Sequence, residues 1–343
     1  MTSSKQTKIG VALFGFGRMG KIHFKTLLSI GDRVKILYLV DEFTTPLYDA
    51  VEQWELKDTV IIKPSEADKI YTDKRVNGVI ICTPTATHTP IILSALEAKK
   101  HVMSEKPIAL TVEDTEKCYD CAKRNGQHLL CSFNRRFDPD FQNVQHQIKS
   151  GKLGELQIAM YFNRDHPEAK EISKGTLGNM MIDMHVHSAD LFNWLSAERP
   201  TQVSAFGNAR KQEYSDRGDY DSTSVSLKFP SGLLAYCDST RNVPYGYDQR
   251  LEVLGTKAAA YVDTPPENGV VIRNSSGECK SPMQYSFPQR YKESYRLELE
   301  HFIDLIEEKA DTCITKDDTV AAMKIAEAAL KSAQTGKTVN LFW

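Results

Sequence analysis

The sequence predicts an α/β protein in two parts: an N-terminal Rossmann domain with a doubly wound parallel sheet, then an α/β domain with a large, open, mostly antiparallel sheet. Three observations carry this expectation. Up to residue 134, continuous apolar runs alternate with stretches of helical period, as strands covered on both faces require. The first strand and helix meet in the glycine-rich turn G-F-G-R-M-G, Gly15 to Gly20. Beyond residue 135, strand-like segments follow one another with few helices between them, and many alternate apolar with polar.

In order, the first part opens with KIGVALFG from Lys8, and GFGRMGKIHFKTLLSI follows with apolar residues at helical spacing. VKILYLV (34–40), TVII (59–62), GVIIC (78–82), HVM (101–103) and HLLCSF (128–133) are the further strands, with helices such as PIILSALEAKK and TVEDTEKCYDCAKRN between them. The second part, 135–343, begins with a helix over 139–149 that ends at SGKLG. The strands LQIAMYF, TQVSAFG, STSVSLKF, LLAYCDST and QRLEVLG come next, with one helix starting near Met180 among them. Two helices, about 295–308 and 316–334, close the chain. No internal repeat or low-complexity segment interrupts this order.

The chain has 343 residues, enough for two buried cores, with 26% charged residues and a net charge of -2. That balance offers no general attraction to nucleic acid or an anionic membrane. The polar start MTSSKQTK runs directly into a strand, and no apolar run reaches the length of a membrane span, so a cytoplasmic protein is expected. Seven scattered cysteines read as reduced thiols. Only Cys118 and Cys121 have CxxC spacing, and no second pair accompanies them, so no metal site is expected there.

The glycine turn sits where a dinucleotide is bound. Its first glycine permits a tight turn, the second lets backbone approach a pyrophosphate, and the third lets helix and strand pack closely. Gly15, Phe16, Gly17, Arg18 and Met19 are the expected cofactor loop, and Asp41 ends the second strand 21 residues after Gly20, placed for a ribose 2′-hydroxyl. Glu42 follows and no arginine is close, so NAD is expected in preference to NADP.

The stretch GNMMIDMHVHSADLFNWL places Asp183 and His187 one turn apart on one helix face, and Asp190 continues the stripe. The carboxylate can address the imidazole. A solvated polar face is an open alternative, and so is a metal site, though His185 lies on a different side of the helix.

Four segments together resemble the Gfo/Idh/MocA oxidoreductase family: EKP at 105–107, CTPTATH at 82–88, FNRRFDP at 133–139 and DMHVHSAD at 183–190. Within it the chain most resembles the inositol 2-dehydrogenases, on FNRRFDP and YGYDQRLEVLG (245–255), although Leu177-Gly178-Asn179 and FNRDHPEAK (162–170) depart from that group's wording. The resemblance implies a catalytic Lys106 with the pair Asp183 and His187. It puts Thr83, Thr85 and His88 on the cofactor side, where Glu105 is expected too, and Arg135 and Tyr245 beside the substrate, with Asn163 added from the neighbouring motif. It implies a homodimer or homotetramer formed through the open sheet, and NAD-dependent oxidation of a secondary hydroxyl on a cyclic polyol, myo-inositol first. Lys106 then stands at the carboxyl end of a parallel strand, where ligands bind in open α/β sheets. A cis Lys106–Pro107 bond is a further expectation. Another cyclitol, an aldose or a dihydrodiol as substrate, an NAD-dependent glycosidase, and a non-catalytic NAD-sensing regulator remain alternatives.

Overall fold

The computed structural model of the protein describes residues 8–166 and 179–343. The chain falls into two compact units, Met1–Asn134 with Tyr295–Val320, and Arg135–Ser294 with Ala321–Trp343. The segment 295–320, grouped by the sequence with the second part, thus belongs to the first.

In the first unit six parallel strands, β1 (Ile9–Phe14), β2 (Val34–Val40), β3 (Val60–Ile62), β4 (Val76–Ile81), β5 (His101–Ser104) and β6 (Leu129–Cys131), lie in the order β3-β2-β1-β4-β5-β6. That is the doubly wound order, with its switch point between β1 and β4. The intervening helices are α1 (Arg18–Ser29), α2 (Thr45–Gln53), α3 (Asp68–Thr72), α4 (His88–Glu97) and α5 (Val112–Asn125). The continuous apolar runs are explained by burial: Val11 to Phe14, Leu39, Val79 to Ile81 and Val102 are all at most 1% exposed. Each large side chain so buried contributes about 1.5–3 kcal/mol. α5 shows why its boundaries were legible, since the Thr111 side chain caps its start by accepting the Asp114 N–H, and Gly126, at φ 64, ends it.

The second unit contains α6 (Pro139–Lys149), α7 (Met180–Ser196), α8 (Gln212–Ser215) and α9 (Phe287–Arg290). Its seven-stranded sheet comprises β7 (Leu156–Arg164), β8 (Gln202–Asn208), β9 (Ser222–Lys228), β10 (Leu234–Thr240), β11 (Asp248–Gly255), β12 (Ala259–Val262) and β15 (Val339–Asn340). The order is β12-β11-β7-β10-β9-β8-β15, antiparallel throughout except for the parallel pair β7 and β10. A small hairpin, β13 (Val271–Asn274) with β14 (Gly277–Lys280), stands apart from the sheet. Two long helices remain, α10 (Lys292–Ile306) and α11 (Lys316–Thr335), and the unit division passes through each near one end.

The first unit shows why it needs the returning segment. A Cβ on Gly78 of β4 would lie 2.9 Å from Ile306 Cδ1 and 3.1 Å from Phe302 Cε1, so α10 packs directly on the sheet backbone. Arg33 donates to Asp304 at 2.6 Å, and Tyr119 and Thr319 share a buried hydroxyl hydrogen bond of 2.7 Å.

Candidate active site

Because the strands of the first sheet are parallel, their carboxyl ends collect on one edge. Gly15 follows β1, Asp41 follows β2, Thr83 and Thr85 follow β4, and Glu105 and Lys106 follow β5. Gly15 takes φ +87, and a Cβ there would meet Cys82 O at 2.6 Å, so the turn has room for no side chain. Gly20 packs still closer, its Cβ position lying 2.0 Å from Gly15 O. Gly17 is different: nothing stands within 4 Å of where its Cβ would be. This leaves the start of α1 open on one side, as the approach of a pyrophosphate would require. α1 has no side-chain cap and no acidic residue in its first turn, leaving its N–H groups and dipole to an anion. Phe16 is buried, Arg18 is exposed and Met19 is half-buried on the same loop.

Asp41 ties this loop to β2. Its Oδ2 accepts the Phe16 N–H at 2.6 Å and its Oδ1 the Phe43 N–H at 2.9 Å. A carboxylate accepts at about four positions, so capacity remains for a ribose hydroxyl. The open glycine, the uncapped helix start and the acid after β2 fit NAD.

The Glu-Lys-Pro turn is held from beneath. Lys106–Pro107 is cis, as the sequence reading anticipated. Glu105 and His88, expected on the cofactor side, are both buried, and each has hydrogen-bond partners within the protein. His88 is 1% exposed, with Nδ1 3.0 Å from Pro107 O and Nε2 2.8 Å from Thr83 O, and burial pulls its pKa down. Glu105 Oε1 accepts from His23 Nε2 at 2.8 Å. Burial pushes that carboxyl up, yet His23 and the neighbouring Lys106 charge bring it below its usual range, so it is a carboxylate. Lys106 itself is half-buried.

In the second unit, Asn179 caps α7 by accepting the Met181 N–H at 3.0 Å. His187 is 7% exposed and its Nε2 lies 3.0 Å from Arg135 Nη1. A guanidinium can only donate, so Nε2 is the accepting nitrogen and the imidazole is neutral, with its proton on Nδ1. Asp183, one turn earlier, accepts from Arg241 Nη2 at 3.3 Å. His185 points elsewhere, to Thr223 and Ser188, and burial takes its pKa down to about 3. Asn163 is buried and donates to Met184 O at 3.3 Å, joining β7 to α7. Tyr245 is half-exposed, donating to Asp248 at 3.0 Å.

Sequence reasoning missed what surrounds Arg135. Its Nε donates to Tyr161 OH at 3.3 Å, its Nη2 to Tyr247 OH at 3.4 Å, and its guanidinium lies 4.8 Å from the Tyr291 ring centroid. Tyr161 in turn donates to Gln249 Oε1 at 2.6 Å. The next residue, Arg136, forms a bidentate pair with Asp190, and Asp138 both caps α6 and accepts from Arg290. FNRRFDP is thus three buried anchors in a row. The usable signal was the alternation of β7, which puts Tyr161 and Asn163 on the sheet's inner face.

Known proteins now fix the class. Residues 9–133 match the oxidoreductase family with an NAD-binding Rossmann fold, so this chain is an oxidoreductase whose cofactor is NAD. Residues 141–261 match the GFO/IDH/MocA C-terminal domain. The chain belongs to the Gfo/Idh/MocA oxidoreductase family. It is 30% identical to myo-inositol 2-dehydrogenase of Thermotoga maritima over 96% of this chain and 98% of that one. It is equally 30% identical to scyllo-inositol 2-dehydrogenase (NAD(+)) of Bacillus subtilis, over 97% and 96%. The crystal structure of a myo-inositol dehydrogenase from Corynebacterium glutamicum superposes with a TM-score of 0.88 at 30% identity, covering 98% of this chain and 99% of that one.

Proposed function

We propose that this oxidoreductase removes hydride from a secondary hydroxyl carbon of a cyclic polyol, myo-inositol first, with His187 as general base and Lys106 on the substrate oxygen. The observation that carries the reading is the neutral, buried His187, whose Nε2 lone pair is already in a hydrogen bond. Relatives named for myo- and scyllo-inositol at the same identity support the ring polyol and leave its stereochemistry to experiment.

NAD supplies the hydride acceptor at nicotinamide C4. His187 Nε2 takes the hydroxyl proton, exchanging its Arg135 hydrogen bond for one to substrate. The imidazolium so formed beside a guanidinium is unfavourable, and Asp183, one turn away on α7, supplies the compensating negative charge. Lys106 donates to the oxygen as alkoxide charge grows, an interaction strongest in the transition state. Arg135, Asn163 and Tyr245 provide hydrogen bonds to the remaining hydroxyls.

The test follows NADH absorbance with myo-inositol, scyllo-inositol, glucose and xylose. Lys106→Ala and His187→Ala are expected to lower kcat by about 10²–10⁴ with NAD affinity retained. Full turnover in either variant overturns the assignment, and no NADH from any polyol overturns the reading. All seven cysteines are free thiols, which supports a cytoplasmic site of action. Among the described residues no helix is long and apolar enough to cross a membrane.

Assembly through the sheet belongs to the same reading. Ile158, Leu234, Leu254 and Phe206 are 36–69% exposed on the outer face of the seven strands, an apolar area a homodimer or homotetramer would cover. Leu234→Glu is expected to shift the mass measured by light scattering toward a monomer; a monomeric wild-type chain refutes this.

A further inference from the structure

We propose that His23 is a positioning residue for the reaction: through Glu105 it fixes the backbone at Lys106, so that the helix starting at the cofactor loop also holds the turn bearing the lysine. This rests on the role given to Lys106 above.

His23 lies in α1, three residues beyond Gly20, and is 1% exposed. Its Nε2 donates to Glu105 Oε1 at 2.8 Å, and Glu105 Oε2 accepts the Lys106 N–H at 3.3 Å. The Tyr295 ring meets the imidazole edge to face at 5.7 Å, holding the ring plane. Ser132 Oγ lies 3.5 Å from Oε1 and donates its one proton to Glu298 at 2.8 Å.

A buried carboxylate held by a histidine donor is a costly way to fill a strand end, since burying a charge is expensive and apolar groups of similar volume are often as stable or more so. Packing alone therefore does not call for it. The pair sits between the cofactor loop's own helix and the residue before Lys106, and a second imidazole grips the far side of the turn. His88 stands between Pro107 O and Thr83 O on that side, and its one N–H donates to one of these two carbonyls while the ring packs against the other. Glu105, Lys106 and Pro107 are thus clamped between two elements that bear the expected cofactor contacts. Lys106 need travel only a small distance to lose its oxygen, because a misplacement of about 1 Å can cost about 10²-fold in rate.

The experiment compares the full-length wild type with His23→Phe, which keeps ring volume and removes the donor, and His23→Gln, whose amide restores an N–H at similar reach. Three quantities are read: NAD affinity by calorimetry, kcat on the best polyol, and hydrogen exchange of the Lys106 amide without NAD. For His23→Phe the expectation is a fall in kcat of about 10²-fold with NAD affinity within about threefold, and exchange at Lys106 faster by about tenfold. His23→Gln should recover most of both. Should His23→Phe not fold, the double variant His23→Phe, Glu105→Leu buries no charge and should show the same losses. Wild-type kcat and exchange in a folded donor-free variant, or His23→Gln as impaired as His23→Phe, would overturn the proposal. A wild type that oxidises no polyol defeats the functional reading instead, and the exchange measurement still decides whether His23 holds the turn.

Discussion

Two glycines three residues apart should respond to the same substitution in opposite ways. In a helix interior, replacing glycine by alanine ordinarily gains about 1 kcal/mol. Gly20 is the third residue of α1, but a Cβ there would stand 2.0 Å from Gly15 O and 2.8 Å from Gly15 C. Both atoms are backbone, with no torsion to rotate out of the way. Helix and turn must separate by about 1 Å, and overpacking of this kind costs about 1–3 kcal/mol. Gly20→Ala is therefore expected to lower the urea midpoint, reversing the sign that helix propensity gives. Gly17→Ala meets nothing within 4 Å and has φ -68, which alanine accepts, so its stability should change by less than about 1 kcal/mol. Its methyl instead occupies the open side of the turn, and NAD affinity should fall at least about tenfold, since backbone approach to the pyrophosphate is what a glycine here provides. Urea unfolding without NAD and calorimetric titration with it separate the two effects. A Gly20→Ala protein as stable as wild type would refute the close approach; undiminished NAD affinity in Gly17→Ala would refute the cradle.

Other expectations follow from buried charge. Asp190→Ala leaves Arg136, 5% exposed, without its bidentate partner and should cost about 3–5 kcal/mol by chemical denaturation; a loss under 1 kcal/mol contradicts this. His185 is neutral when folded, with its pKa near 3, while unfolded histidine titrates near 6.5. The unfolded chain therefore binds more protons between those values, so stability is complete above about pH 6.5 and declines below it, by about 3 kcal/mol at pH 4. His185→Gln should flatten that decline, and an unchanged profile would count against it. Asp41 and Glu42 at the end of β2 should make kcat/KM with NAD exceed that with NADP, and equal values would remove the argument from their charge.

The parts most legible in the sequence were those specified by neighbours in the chain. G-F-G-R-M-G announces itself because turn, approach and packing are all met within six residues. The runs 34–40 and 222–229 coincide with β2 and β9 to within a residue, since their patterns state directly whether one face or both are covered. The ring of tyrosines around Arg135 was legible only in part: alternation in β7 turns Tyr161 inward, but Tyr161 and Tyr247 come from 26 and 112 residues away and no local period links them to Arg135. The partners of His88 were not legible for a related reason: the motif indicated the neighbourhood, but only the fold shows both its nitrogens turned to backbone carbonyls. The parallel pairing of β7 with β10 was likewise invisible, since alternation reports a face and says nothing of direction.

The return of residues 295–320 to the first unit bears on how the protein is made. When a ribosome has emitted the first 134 residues, all six parallel strands are present, but the groups that cover them are not. Gly78 still lacks Phe302 and Ile306, Ser132 lacks Glu298, and Tyr119 lacks Thr319. The nucleotide-binding unit must therefore wait until residues 295–320 have been made, with an apolar flank open to water. A gene fragment ending at codon 134 should yield a sticky, poorly soluble product, and a transferable cofactor module would need its last piece stitched on from far downstream.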